Sequence, residues 1–386
     1  MLRRSLTHVC ATAAALVAVI GLAIGSAAAQ TIKIGSFLSV TGGGAFLGAP
    51  EKNTLELYVD KINQQGGVLG KKLELVIYDD ATDAKKAQTF AKRLIQQDKV
   101  DLIIGGTTTG STMAAIADVE QAGIPFISLA GADDVIKPVK KWVFKTPHTD
   151  RVAVDSIFRD IKARGLSKLG LLSGAGGFDQ SCRANAKELA PELGITLVAD
   201  ETHGTGDTDM TPQLAKIKGT AGVQAFLYCG FGAATSLVAK NFKQLGLTIP
   251  HYQTHGSASM SFIKGAAGGA EGVRLPAAAL LVVEQLPVSH VQKNVGMAYK
   301  QAYESKFKED ISTFGGHAYD ALFIVVEAIK RAGSTDRAKV RGEIEKTRNF
   351  IGVDGVFNMS PRDHMGLAAD SLIMVEVSNN AWKLLK

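Results

Sequence analysis

Short apolar runs alternate along most of the chain with longer segments whose apolar residues recur every three or four positions. The first pattern predicts buried strands and the second amphipathic helices. Strands are predicted over residues 32–38, 73–78, 100–104 and 125–129. Between them come helices over 50–65, with Leu55, Val59 and Ile62 on one face, over 83–97, with Phe90, Leu94 and Ile95 inside, and over 111–121. Asp83 can cap its helix, and Gly66-Gly67 stops the preceding one. Such alternation predicts a parallel sheet covered by helices.

The rhythm breaks at Lys145-Thr146-Pro147-His148-Thr149-Asp150, which is polar and holds a proline. It restarts with a helix carrying Val154, Ile157, Phe158 and Ile161. Strands over 169–173, 196–199, 224–229 and 249–252 then alternate with helices over 180–193, 210–218 and 233–245. Beyond Val273, a strand is predicted over 280–283, long helices over 291–305 and 316–332, and a last strand over 371–377. The expected fold is α/β, two doubly wound lobes with a crossover near 146–150. The late helices are expected to return to the first lobe and the last strand to the second. That divides the chain into lobe 1, residues 30–147 plus about 282–357, and lobe 2, residues 148–281 plus about 358–386.

The N-terminus bears on compartment. Arg3 and Arg4 precede an apolar run over 9–24, and Ala27-Ala28-Ala29 gives a small-residue exit. This is the pattern of a cleaved signal peptide over residues 1–29, and it predicts a secreted, periplasmic protein. The apolar run is short for a membrane span of about 20 residues. Without residues 1–29 the chain has 41 basic against 37 acidic residues, a mild excess, and its Lys pairs read as solvated helix faces. No nucleic-acid partner is expected. Cys182 and Cys229 are then the remaining cysteines. Two unlinked thiols are the plainer expectation, because sequence does not bring them together.

Open α/β sheets bind ligands beyond the carboxyl ends of their strands. Two facing lobes would put two such rims across one cleft, so the strand-to-helix loops carry the candidate contacts. The first, residues 39–48, is glycine-rich and offers Phe46 and Leu47 as apolar surface. It lacks the last glycine of a dinucleotide fingerprint, because Leu47 stands there. Gly105-Gly106-Thr107-Thr108-Thr109-Gly110-Ser111-Thr112 clusters hydroxyls and free amides at a helix start, a setting for an anion such as a carboxylate. No nucleophile elbow or zinc spacing is present, so neither enzyme, metal nor cofactor is expected. His317, at a helix start, reads as a capping or core residue, and the Asp79-Asp80 pair as local hydrogen bonding.

Several stretches together resemble the periplasmic leucine/isoleucine/valine-binding family of ABC-transporter substrate-binding proteins. They are residues 32–39 with the glycine-rich loop, Asn63-Gln64-Gln65-Gly66-Gly67-Val68-Leu69-Gly70-Lys71, Tyr78-Asp79-Asp80, Ile104-Gly105, Ile124-Pro125-Phe126-Ile127-Ser128 and Ala318-Tyr319-Asp320-Ala321. The resemblance spans nearly the whole chain after residue 29. It implies two Rossmann-like lobes, three hinge crossings, a monomer that closes like a clamshell, and a membrane permease as partner. It places the carboxylate-holding hydroxyl at Thr109, beside Thr108, and the partner loop at Ala130 and Ala132. Aromatic walls fall near Phe46 and Leu47, at Phe178 and near Phe231, and the ammonium-facing position falls on His255. The family's amino-acid binders carry a Thr in the partner loop and a Glu across the cleft, where Ala132 and His255 stand here. The chain is also similar to the branch that binds aromatic acids, through Ala45-Phe46-Leu47-Gly48 and Ser360-Pro361-Arg362-Asp363-His364. The expected ligand is a carboxylate without an α-amino group, benzoate-like or phenylpropanoid-like. The alternatives are a branched-chain amino acid, with a shifted loop bringing Glu284 or Asp179 to its ammonium, and a periplasmic sensor role.

Overall fold

A computed structural model of the chain describes residues 31–385, so the predicted signal peptide lies outside the described residues. The first half opens with β1 (Ile32–Leu38), α1 (Ala45–Gln64), β2 (Leu73–Asp79), α2 (Ala84–Gln96) and β3 (Leu102–Gly105). It continues with α3 (Thr109–Ala122), β4 (Phe126–Ser128) and β5 (Val143–Lys145). These five strands form one parallel sheet in the order β2-β1-β3-β4-β5. Its strands are near-continuous apolar runs because helices cover both faces. Asp83 caps α2 as expected, its side chain accepting from the Lys85 and Lys86 amides at 2.7 and 3.1 Å.

After the crossing at 146–149 come α4 (Asp150–Ala163), β6 (Lys168–Ser173), α5 (Gly177–Glu192), β7 (Thr196–Thr202) and α6 (Thr211–Gly219). Then follow β8 (Ala225–Cys229), α7 (Ala233–Gln244), β9 (His251–Gln253), α8 (Met260–Gly265) and β10 (Arg274–Ala277). The chain recrosses through a 3-10 segment (Ala279–Gln285) to α9 (Lys293–Phe307), α10 (Thr313–Ala332), α11 (Arg337–Glu345) and the hairpin β11 (Phe350–Ile351) and β12 (Val356–Phe357). It ends in β13 (Ile373–Ser378) and β14 (Ala381–Leu384). The second sheet runs β14-β13-β10-β9-β8-β6-β7, with β13 and β14 antiparallel at one end. β13 and β14 thus extend the second sheet. Among the described residues no helix is long and apolar enough to cross a membrane.

Three expectations need correction. Residues 280–283 are 3-10 helix, not strand; the strand there is β10, which holds a proline and is followed by the crossing. Helix α1 starts at Ala45 rather than Pro50, so Phe46 belongs to a helical turn instead of a loop. Cys182 and Cys229 form a disulfide with Cα atoms 5.7 Å apart. Cys229 ends β8, and Cys182 lies in the second turn of α5 where that helix packs over β8 in the second lobe's core.

The first core joins α10 and the 3-10 segment to the first sheet. Leu280, Val283, Leu322, Val325 and Ile329 pack with Ile34, Phe37 and Ile103, all at most 2% exposed. Met359, Met365 and Leu367 belong to the same core. Each such side chain, fully buried, contributes roughly 1.5–3 kcal/mol.

Candidate functional site

The carboxyl ends of the parallel strands of both sheets face one another across a cavity. Almost every residue lining it comes from the connection after a strand or from the first turn of the helix that follows. Leu47 follows β1, Thr107, Thr108 and Thr109 follow β3, Leu129 and Gly131 follow β4, and Pro147 follows β5. From the other lobe, Phe178 follows β6, Phe231 follows β8, and His255 and Gly256 follow β9. Phe314 and His317 come from the start of α10. The lining includes no Asp, Glu, Lys or Arg.

The three threonines differ in what they leave free. Thr107 Oγ1 donates to Glu51 and accepts from the Ser39 amide, so it is consumed within the lobe. Thr108 Oγ1 caps α3, accepting from the Ser111 amide at 3.2 Å and bonding Ser111 Oγ at 3.1 Å. Thr109 Oγ1 is buried and has no partner. The first helical bond of α3 runs from the Thr112 amide to the Thr108 carbonyl. The amides of Thr109 and Gly110 therefore precede the helical ladder and remain available. A free hydroxyl beside free amides at a helix N-terminus makes a small-anion cradle.

The opposite wall is aromatic. Phe178 meets Phe231 edge-on with ring centroids 5.9 Å apart, and meets His255 edge-on at 5.4 Å. The disulfide ties these two walls, because Phe178 lies one helical turn before Cys182 and Phe231 two residues after Cys229. Neither nitrogen of His255 has a well-formed hydrogen bond. Burial pushes its imidazole down to about 3, helped by the nearby Lys145 charge, so it is neutral at physiological pH.

Six of the nine residues expected at the site line the cavity: Leu47, Thr108, Thr109, Phe178, Phe231 and His255. Phe46 does not. Within α1 it packs edge-on against Phe314 at 5.5 Å instead. Ala130 and Ala132 do not either. The segment is extended, so alternate residues face the same way, and Leu129 and Gly131 are the ones turned inward. Sequence reasoning also missed Phe314 and His317. It searched the turns after strands, and α10 follows no strand directly. Asp179 and Glu284, the acids considered for an ammonium, are elsewhere. Asp179 Oδ2 accepts from the Gly176 amide at 3.0 Å, and Glu284 is exposed beside Lys300.

The lobes stand closed. Asn185 on α5 donates to Asp133 Oδ2, from the turn after β4, at 2.9 Å, and the Arg151 amide donates to the same oxygen at 3.1 Å. A methyl group on Gly131 would lie 2.7 Å from Phe178 Cε2 and 3.1 Å from His255 Nε2. The cavity has a volume of about 30 Å³, space for one or two waters, whereas a benzene ring takes an apolar cavity of about 150 Å³.

Comparison with known proteins agrees with this architecture. Residues 31–381 match the family model described as periplasmic binding protein. The leucine-, isoleucine-, valine-, threonine- and alanine-binding protein of Pseudomonas aeruginosa is 28% identical over 84% of this chain and 85% of its own length. The structure of an extracellular ligand-binding receptor from Rhodopseudomonas palustris HaA2 is 28% identical, with a TM-score of 0.86 over 92% of this chain and all of that one. The branched-chain amino acid transporter substrate-binding protein LivJ of Streptococcus pneumoniae, solved with isoleucine, is 27% identical with a TM-score of 0.80 over 92% of this chain and all of its own. At the level of fold alone, a solute-binding protein of an ABC transporter from Rhodopseudomonas palustris BisB5, solved with 3,4-dihydroxybenzoic acid, is 21% identical with a TM-score of 0.79 over 92% of this chain and 96% of that one. The match over nearly the whole described chain, on two lobes that close around a cavity at their strand ends, places this chain in the periplasmic binding protein family.

Proposed function

We propose that the chain is the periplasmic solute-binding component of an ABC importer and closes, as a monomer, over a small carboxylate without an α-amino group, an aromatic acid by preference. The observation that carries this reading is the asymmetry of the cavity's polar groups. One end offers the free Thr109 hydroxyl at the start of α3, and no carboxylate lines the rest. An acid's oxygens find donors there. An ammonium finds no anionic partner, and burying an unpaired charge costs several kcal/mol. Phe178, Phe231, Phe314, Leu47, Leu129 and Pro147 supply an apolar surface for a ring.

Binding works through closure. In the open state each lobe offers half of the site: donors from α3 on one side, aromatic walls from α5 and the turn after β8 on the other. A ligand touching both halves favours the closed state, which the permease then reads.

A branched-chain amino acid is the second reading, favoured by the amino acids named for the Pseudomonas and Streptococcus relatives. A thermal-shift panel on refolded, ligand-stripped protein separates the two, because a ligand of the native state raises stability by mass action. Benzoate-like or phenylpropanoid-like acids are expected to raise Tm, with leucine and valine silent. A rise with leucine or valine alone would overturn the aromatic-acid reading.

A further inference from the structure

His317 and Asp354 form a polar pair behind the cavity that the site described so far does not use. His317 lies in the first turns of α10 and lines the cavity, at 4% exposure. Its Nδ1 sits 2.6 Å from Asp354 Oδ2, with an angle short of good hydrogen-bond alignment. Asp354 is fully buried, and neither of its oxygens has a hydrogen-bond partner. The neighbouring buried acid, Asp320, is different. It accepts from the Val353 and Asp354 amides at 2.7 and 2.9 Å and so anchors the turn between β11 and β12. Asp354 anchors nothing; its close polar contact is the imidazole. Gly316 makes room for it, since a methyl group there would lie 2.5 Å from Asp354 Oδ2.

The proton count follows from charge and distance. Two bare acceptors would repel at 2.6 Å, so a proton lies between Nδ1 and Oδ2. With no second proton, the pair would be a buried net negative charge beside Asp320, a costly arrangement. With it, the pair is neutral overall and Nε2 carries hydrogen. The direction of each group agrees: burial pushes the Asp354 carboxyl well up and His317 down to about 3, with Lys145 adding to the latter. Nε2 has no protein partner among the described residues, and the ring borders the cavity.

We propose that His317, backed by Asp354, presents an Nε2–H donor to the ligand's carboxylate and thereby discriminates against ligands bearing an ammonium group. The inference rests on the carboxylate reading above and adds a residue to it. Asp354 is a positioning residue: it fixes the tautomer of His317. When a carboxylate docks, the shared proton moves from Asp354 Oδ2 to Nδ1. That leaves an imidazolium against the ligand anion and a carboxylate behind it, with no proton exchanged with solvent. The cavity thus gains a cationic partner for an acid although it is lined by no Lys or Arg.

The test is calorimetric titration of ligand-stripped protein with benzoate, 3-phenylpropanoate and L-leucine. The wild type is expected to bind at least one of the two acids and not leucine. His317→Leu is expected to weaken acid binding by about tenfold or more, the scale of losing one hydrogen bond to a charged group. Asp354→Asn, whose amide can donate to Nδ1 and keep the neutral Nε2–H but has no proton to hand over, is expected to weaken acid binding, though less than His317→Leu does, because the hydrogen bond survives and only its charge is lost. Imidazole ¹⁵N spectra of the unliganded wild type are expected to show His317 neutral and protonated on Nε2. Unchanged acid binding in His317→Leu, or a proton found on Nδ1 alone, overturns this inference and leaves the carboxylate reading standing. A wild type that binds leucine, or neither acid, overturns the carboxylate reading and this inference with it. If His317→Leu does not fold, the spectra of the wild type still decide.

Discussion

Three consecutive threonines at the start of α3 have the same side chain and three different tasks. Thr107 is tied to Glu51 and Ser39, Thr108 caps the helix, and Thr109 is left open to the cavity. Their substitutions should therefore separate. Thr109→Val is expected to weaken acid binding roughly tenfold or more while the unliganded protein keeps its Tm, because the hydroxyl has no internal partner to lose. Thr108→Val is expected to destabilise the unliganded protein by about 1 kcal/mol through the lost cap; calorimetry and chemical denaturation distinguish the two. A different residue-scale effect comes from His251, fully buried between Phe226 and Phe242 and pushed down to about 3 by burial. Above the ordinary histidine value both folded and unfolded chains leave it neutral. Below that value the unfolded chain takes up a proton that the folded one refuses, so stability is lost as pH falls from about 6.5 toward 3. Between pH 7 and 5, wild type should lose about 2 kcal/mol more than His251→Gln, read from urea unfolding at each pH.

At the scale of elements, the disulfide joins β8 to α5 across 47 residues and sits just behind two cavity walls. Closing a loop of that length contributes about 4 kcal/mol in the chain-entropy account. The Cys182→Ala/Cys229→Ala double variant is expected to lower the denaturation midpoint and to weaken binding of aromatic acids, since Phe178 and Phe231 lose their common tie. The long periodic helices and most central strands were legible in the sequence because their apolar faces repeat cleanly, as in α2 and β1. The misses have physical causes. β5 is three residues long and ends in a buried lysine, Lys145, whose Nζ bonds the Gly131 and Ala132 carbonyls, so its composition reads as a loop. β10 carries Arg274 and Pro276, while the apolar 3-10 segment beside it has the look of a strand. Short apolar runs do not distinguish strand from buried helix. At the site, the turn after β3 pointed to the threonine cluster and the family resemblance to Thr109, Phe178, Phe231 and His255, whereas His317 could be found only by knowing that α10 starts against the cavity. Its spacing before Ala318-Tyr319-Asp320-Ala321 held no signal of that.

For the molecule as a whole, the proposed function turns on passage between open and closed lobes. Gly131 is where the lobes come closest to the aromatic walls. In the closed arrangement an added methyl collides with Phe178 and His255, side chains of the opposite lobe that opening would withdraw. Gly131→Ala is therefore expected to leave the unliganded Tm nearly unchanged and to weaken ligand binding by about tenfold or more, the scale of a steric misfit of 1–3 kcal/mol. Small-angle scattering with and without ligand checks the cause: wild type should contract on binding, and the variant should not.

The order of strands in the second sheet has a further consequence. β10 is laid down about a hundred residues before β13, its antiparallel neighbour, and the intervening chain goes to complete the first core. Neither lobe is a contiguous stretch of sequence. A chain emerging N-terminus first from a secretion pore would hold β10 as an open edge, inviting pairing with other chains, until its final residues arrived. The last two strands are thus the closing step for the second sheet, whose edge at β10 they cover.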